Sequence, residues 1–321
     1  MPLKFIKNFI PDYNQSEAAE TGFGDKLTGT SRLISSDGNF NIIKKGNITD
    51  NLYEYLLGMS WIGFFIRLST FYFSINALFA FILLFHGLEN IKGVIMGSLA
   101  ENFSQALFFS IQTFTTVGYG QLSPTSTFTN ILSSIITFLG LLTFALATGL
   151  FFARFSRPVS HIIFSKNMII GPNSEYKKSL QFRVVNGTNS ELIDTEARVT
   201  ATWIETLNGI SKRKFQRLDL EFEKIYMFPL NWTLVHPINE NSPLYKQSKD
   251  SLNASNLEIL ILIRAYDQTY NHHIHSKKSY TCDELKEGVK FVTMYDTEDN
   301  KTILHLDMLD SLEKAQWQEE E

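Results

Sequence analysis

Cysteine is nearly absent: Cys282 is the only one in 321 residues, so no intramolecular disulfide can hold this chain. A lone thiol in hydrophilic sequence fits a reducing compartment. Charge is missing from one region altogether. Residues 102–153 contain no Asp, Glu, Lys, Arg or His, although 19% of the chain is Asp, Glu, Lys or Arg. Such a run excludes a wholly soluble fold. No basic tail is present, which excludes the usual nucleic-acid signature, and no P-loop, G-x-G-x-x-G or H-E-x-x-H points to an enzyme. The charges that do occur are split. Residues 1–160 carry 10 Lys/Arg against 9 Asp/Glu, and residues 161–321 carry 19 against 24.

Two stretches are long and apolar enough to cross a bilayer. Residues 68–85 hold no Asp, Glu, Lys, Arg or His and cover about 27 Å of a hydrocarbon core about 30 Å thick. Arg67 at their start can snorkel to headgroups, and Trp61 before it is an interfacial anchor, so the first span is predicted over 61–85. It begins too far along, and lacks an A-x-A-like site after it, to read as a signal peptide. The second span is predicted over 128–154, ended by Arg154, Arg157 and Pro158. Lys92 is the one Lys or Arg in 86–127, whereas Lys44, Lys45, Arg154, Arg157 and Lys166 flank the outer ends. Positive-inside then predicts a multi-pass inner (plasma) membrane protein with both termini cytoplasmic.

Between the spans, FSQALFFSIQT (103–113) is apolar but, at about 16 Å, too short to cross. A helix predicted over 103–114 must dip in and return, and irregular backbone at that depth is tolerated only where protein or a water-filled cavity covers it. A pore is implied. Thr115-Thr116-Val117-Gly118-Tyr119-Gly120 follows, and it resembles the selectivity filter of potassium channels. In such a filter the carbonyls of an extended loop point one way, with the Thr116 hydroxyl as the innermost layer, and replace the hydration shell of K⁺. Gly118 and Gly120 supply dihedrals that a Cβ would forbid, and Val117 and Tyr119 are expected to pack against the supporting helix. Each layer needs oxygens on all sides of the ion, so one filter per chain calls for a homotetramer. The short helix would aim the negative end of its dipole at the cation. K⁺ is the permeant ion; no cofactor is expected, and Ba²⁺ is the expected blocker.

Apart from Arg154 at the end of the second span, Arg67 is the only Lys or Arg within either span, so there is no arginine-repeat voltage sensor. What surrounds the pore resembles the bacterial branch of the inward-rectifier potassium channels. Four segments carry the resemblance: TGFGDKLTGTSRLISSDGNFNIIKKG (21–46), LYEYLLGMSW (52–61), ATGLFFARFSRP (147–158) and NWTLVHPINENSPLY (231–245). It implies a cytoplasmic N-terminal segment (1–46), an amphipathic slide helix (47–60), a pore domain (61–157), a cytoplasmic immunoglobulin-like β-sandwich (158–310) and a tail (311–321). In the slide helix, Leu52, Tyr55, Leu56 and Met59 share one face and Asp50, Asn51 and Glu54 the other, with Thr49 as a candidate cap.

On the second span, Phe144, Thr148 and Phe152 recur every four residues and share a helix face that could line the cavity. The resemblance puts Phe144 where strongly rectifying relatives hold an acidic residue for Mg²⁺ or polyamines, implying weak rectification. Phe152, near the cytoplasmic end, is the gate candidate by dewetting, with plain packing as the other reading. Gly140 and Gly149 are hinge candidates or helix contacts. Arg154 and Arg157 match positions that meet anionic, phosphoinositide-like lipids, and positive-inside flanking places arginines there too. Val159 and Ser160 stand where eukaryotic relatives have further lysines; prokaryotic members resemble one another in being inhibited by such lipids. The resemblance puts Gln112 and Gln121 where many relatives have a charged pair behind the filter, so hydrogen bonds would have to replace that ion pair, with Gln112, Thr115 and Gln121 as the filter's support.

Beyond Lys166 the pattern turns to period two. Ala197, Val199, Ala201 and Trp203 alternate with polar residues, 257–263 is nearly all apolar, and Asn186-Gly187 and Asn208-Gly209 are turn signals. A β-sandwich of about 140 residues follows. His272, His273 and His275 lack a second ligand cluster, and no metal site is expected. The expected function is passive K⁺ conduction gated by the cytoplasmic domain and lipids; the alternative is a membrane-anchored ligand receptor whose pore is largely non-conducting.

Overall fold

The computed structural model describes residues 21–315 except Asp25, Thr28, Thr30, Ser36, 47–50 and 157–160. It divides into two units, one of residues 45–157 and one of 1–44 with 158–321.

In the helical unit, α1 (Leu52–Gly58) starts at Asn51, whose side chain accepts from the Tyr53 amide at 3.0 Å. The expected cap Thr49 lies outside the described residues. Ser60 caps α2 (Trp61–His86), and Gly87, at φ +101°, ends it. The short helix α3 runs Leu99–Phe114, four residues longer than predicted, because Ser98 and Glu101 form a reciprocal capping box. Glu101 accepts from the Ser98 amide at 2.7 Å; its charge sits where the helix dipole is positive. A second capping box, Ser126 with Thr129, opens α4 (Thr127–Phe155). By length and composition α2 and α4 can each cross a membrane. Phe79, Leu83, Ala106, Phe109, Phe114, Leu132 and Ile136 form one core, so α3 is buried against both. The two-residue strands β1 (Ile91–Lys92) and β2 (Ser123–Pro124) pair antiparallel on either side of α3 in sequence.

The second unit is an immunoglobulin-like sandwich. Its strands are β3 (Ile162–Phe164), β4 (Met168–Gly171), β5 (Ser179–Asn186), β6 (Leu192–Leu207), β7 (Ile210–Leu218), β8 (Lys224–Met227), β9 (Asn231–Pro237), β10 (Glu258–Asp267), β11 (His272–Thr281), β12 (Leu285–Glu287), β13 (Val289–Phe291), β14 (Tyr295–Glu298), β15 (Lys301–Leu304) and β16 (Leu312–Lys314). One sheet has the order β11-β10-β6-β7 with β8 on β6; the other has β12-β4-β5-β3 with β9 on β5. Alternate residues of both sheets, among them Val199, Ala201, Ile259, Ile261, Phe182, Val184 and Leu234, meet in one core. Asn208 (φ +51°) and Gly209 (φ +78°) make the tight turn between β6 and β7. Asn186-Gly187 instead opens a longer loop to β6. Strand β16 pairs with β13 in a separate two-stranded sheet, so strand structure extends past residue 310 into the expected tail.

The N-terminal segment belongs to this unit. Leu33 and Ile34 pack with Phe215 and Leu260. The Glu258 carboxylate accepts the Leu33 amide at 2.9 and 3.0 Å and the Ile34 amide at 3.3 Å. Arg213 donates to the Leu27 and Gly29 carbonyls at 2.8 and 2.9 Å and lies 3.8 Å from Glu258. Both charged side chains are buried beneath the segment, where each needs the other and the backbone to offset desolvation.

Candidate functional site

The loop 115–120, expected to be the filter, grows out of the last turn of α3. The amides of Thr115, Thr116, Val117 and Gly118 donate back to the carbonyls of Ile111 (2.9 Å), Thr113 (3.1 Å), Gln112 (2.9 Å) and Gln112 again (3.3 Å). In a trans peptide N–H and C=O point opposite ways, so these bonds turn the carbonyls of Thr115, Thr116 and Val117 away from the helix. Among the described residues no carbonyl of 115–120 accepts a hydrogen bond. The backbone also alternates. Thr116, Gly118 and Gly120 have φ of +60°, +50° and +81°, whereas Val117 and Tyr119 between them do not have positive φ. Carbonyls of an ordinary strand alternate sides; left-handed residues at every second position cancel that alternation and keep them on one side. No atom lies within 4 Å of an added Cβ at Gly118 or Gly120 in the single chain, so conformation rather than space requires glycine there. Thr116, β-branched and at positive φ, holds a sparsely populated conformation.

Three contacts hold this loop in place, and sequence reasoning missed two. Gly93 (φ +92°) lies so close to the filter's exit that a Cβ would sit 1.9 Å from the Gln121 carbonyl oxygen. The Thr125 amide and hydroxyl both bond the Asn90 carbonyl, at 2.9 and 2.8 Å, beside the β1–β2 pair. Gly140 of α4 crosses the end of α3, where a Cβ would meet the Phe114 carbonyl oxygen at 1.9 Å. Gly140 is therefore a helix contact, whereas Gly149 has nothing within 4 Å of such a Cβ. The expected side-chain support differs too. Among the described residues neither the Gln112 nor the Gln121 side chain makes a hydrogen bond; both act through their backbone carbonyls. Val117 and Tyr119 are 52% and 77% exposed within the single chain.

Phe144 and Phe152 are 76% and 74% exposed, and Thr148, between them, bonds back to the Phe144 carbonyl at 2.9 Å. All three stand uncovered on one face of α4 within the single chain.

Arg154 and Arg67 each bond to groups of α1 and its flanks. Arg154 donates to the carbonyls of Leu56, Leu57 (3.2 Å) and Met59 (2.8 Å), at the C-terminal end of α1. Its guanidinium lies 4.6 Å from the Trp61 ring centroid and 4.8 Å from that of Phe64. A cation suits that position, since helix C-terminal carbonyls carry partial negative charge. Arg67, exposed, donates to the Tyr55 hydroxyl and the Gly63 carbonyl (3.3 Å). Trp61 packs on Phe151 and Phe155. Arg157 lies outside the described residues.

In the β unit, His236 is buried; its Nδ1 donates to the Asp219 carbonyl at 2.7 Å and its Nε2 accepts from the Ser242 hydroxyl at 2.8 Å. Burial lowers its pKa. Arg183, buried over the Phe291 ring and bonded to the Val292 carbonyl, is pulled down to about 10 by desolvation. Cys282 is buried, and its thiol is pushed up to about 11 by desolvation, which makes it unreactive at neutral pH. His273 packs on Tyr266, and no group of three metal-ligand side chains occurs among the described residues.

Residues 162–318 match a family model described as the inward rectifier potassium channel C-terminal domain, and residues 55–157 match one described as ion channel. The inward rectifier potassium channel Kirbac3.1 of Paramagnetospirillum magnetotacticum is 33% identical over 271 residues, 83% of this chain and 90% of that protein. The ATP-sensitive inward rectifier potassium channel 12 of Gallus gallus is 24% identical over 63% of this chain and 49% of its own length. The G protein-activated inward rectifier potassium channel 3 of Mus musculus is 24% identical over 84% and 75%.

Proposed function

Since the chain belongs to the inward-rectifier potassium channel family and is a K⁺-selective membrane channel rather than an enzyme, we propose that K⁺ passes between four identical copies through rings of carbonyls from Thr116 to Gly120. The observation that carries this reading is the alternation of positive φ at Thr116, Gly118 and Gly120, with the preceding amides tied back to α3. One chain offers oxygens on one side of an ion only, so the rings close in a homotetramer. Exposed Val117 and Tyr119 are then covered by neighbouring copies.

In the same assembly Phe144, Thr148 and Phe152 face the cavity, and four Phe152 rings near the cytoplasmic end close the path by dewetting. With Phe at 144 rather than a carboxylate, Mg²⁺ and polyamines are held weakly, so rectification is weak. Ba²⁺ blocks. The protein sits in the bacterial inner membrane with both termini and the β-sandwich in the cytoplasm.

Anionic lipids regulate it through Arg154 and Arg157. An anionic headgroup reaches Arg154 only by displacing the carbonyls of Leu56, Leu57 and Met59, so lipid and amphipathic helix compete for one guanidinium. A non-conducting receptor is not favoured by the family relationship.

The test is radioactive Rb⁺ uptake into liposomes. Wild-type protein takes up Rb⁺ in preference to Na⁺ and is blocked by Ba²⁺, and Gly118→Ala abolishes uptake or selectivity while the tetramer survives. Unchanged selectivity in Gly118→Ala refutes the filter assignment.

A further inference from the structure

The geometry points to Asn76 and Ser110 as a positioning pair for the filter, an assignment that rests on the filter reading above. Asn76 lies midway along α2 and Ser110 on α3, and both are 0% exposed. The Ser110 hydroxyl donates to Asn76 Oδ1 at 2.8 Å, and Asn76 Nδ2 donates to the Tyr72 carbonyl at 2.9 Å. Phe79, Ala80, Ala106, Phe109 and Phe114 are buried in the same helical core. An amide at membrane depth is costly unless bonded, so its presence needs a reason.

Apolar contacts are non-directional and leave one helix free to rotate or slide slightly on another. A hydrogen bond with a fixed partner does not. Among the described residues this is the one side-chain hydrogen bond between α2 and α3. Its position along α3 matters. Ile111, Gln112 and Thr113, the next three residues, are the ones whose carbonyls receive the filter amides. A rotation of α3 at Ser110 therefore moves those carbonyls, and with them the backbone of 115–118. The other directional contacts on α3 lie on either side of Ser110. Gln105 bonds the Ile95 backbone at 2.6 and 2.9 Å, and α4 meets the Thr113 and Phe114 carbonyls through Thr137 and Gly140. Asn76 supplies the constraint from the outer helix.

The experiment compares K⁺-over-Na⁺ permeability of full-length protein in liposomes for wild type, Ser110→Ala, Ser110→Thr, and the double variant Asn76→Leu with Ser110→Ala, each checked for tetramer by size-exclusion chromatography. Ser110→Ala lowers the permeability ratio about three- to twenty-fold, the factor equivalent to the measured worth of interhelical hydrogen bonds in membranes. Ser110→Thr keeps the hydroxyl and a near-wild-type ratio. The double variant leaves no unpaired polar group, so it assembles, yet its selectivity stays low. That separates positioning from stability. A wild-type ratio in assembled Ser110→Ala, recovery of the ratio in the double variant, or failure of every variant to assemble overturns the proposal. A wild type that passes K⁺ and Na⁺ alike would sink the filter reading instead.

Discussion

Replacing Gly140 with Ala puts a methyl carbon where the structure has no room for it. The added atom would lie 1.9 Å from the Phe114 carbonyl oxygen, 2.8 Å from its carbon and 3.2 Å from its Cα. All three are backbone atoms, so no side chain can swing aside. Ordinary contact begins at 3.4 Å, so α4 and the end of α3 must part by about 1.5 Å, whereas binding sites tolerate displacements of about 0.5 Å. Overpacking of this kind costs about 1–3 kcal/mol. The better helix propensity of Ala returns about 1 kcal/mol, leaving a net loss concentrated on the turn that carries the filter. Rb⁺ uptake per tetramer should fall on the order of tenfold or more, with a lower melting temperature. Gly149→Ala is the control, because nothing lies within 4 Å of its added Cβ; it should be at least as stable as wild type. If Gly140→Ala conducts and melts like wild type, the close crossing of α4 over Phe114 is refuted.

Phe152→Ala should raise resting flux several-fold in the same assay; equal flux would move the constriction elsewhere on α4. Arg154→Ala should free the end of α1, measured as faster thiol labelling at an introduced Leu57→Cys, and should reduce the difference in flux between neutral and anionic liposomes. Arg154→Lys keeps the charge without the fork that reaches three carbonyls, and should fall between. Unchanged labelling in Arg154→Ala would refute the clamp. His236 gives a pH dependence whose sign follows from burial. Its folded-state pKa lies below the ordinary 6.5, so as pH falls through 6.5 the unfolded chain takes the proton first and stability declines, down to the lowered pKa. Above 6.5 the contribution is complete. Melting of the β domain followed from pH 8 downward should show this loss, and His236→Asn should flatten it; an equal slope in both would contradict the buried neutral imidazole.

The membrane spans and the filter were legible because their signals are local. An uncharged run and a short contiguous motif need no partner to be recognised. The start of α3 was not legible: Glu101 reads as a polar boundary, yet it caps the helix by bonding back to Ser98. Gly93 and Asn76 were missed for a related reason. Their partners, Gln121 and Ser110, lie 28 and 34 positions away, and nothing in the local pattern announces a contact at that distance. The arginines show the same limit from the other side. Composition placed Arg154 at the end of an apolar span and Arg67 near the start of one, but which partners each guanidinium bonds depends on the fold of α1 beside it. In the β unit, period two marked the core strands well. Glu258, at the head of an apolar strand, gave no hint that the N-terminal segment would bury it.

The most direct measurement is an experimental structure of the protein in Rb⁺, located by its anomalous scattering. Four copies of 116–120 should surround one axis, with Rb⁺ at successive carbonyl layers and the Thr116 hydroxyls innermost. Ions absent from that axis, or 115–120 turned away from any axis shared by the copies, would contradict the account.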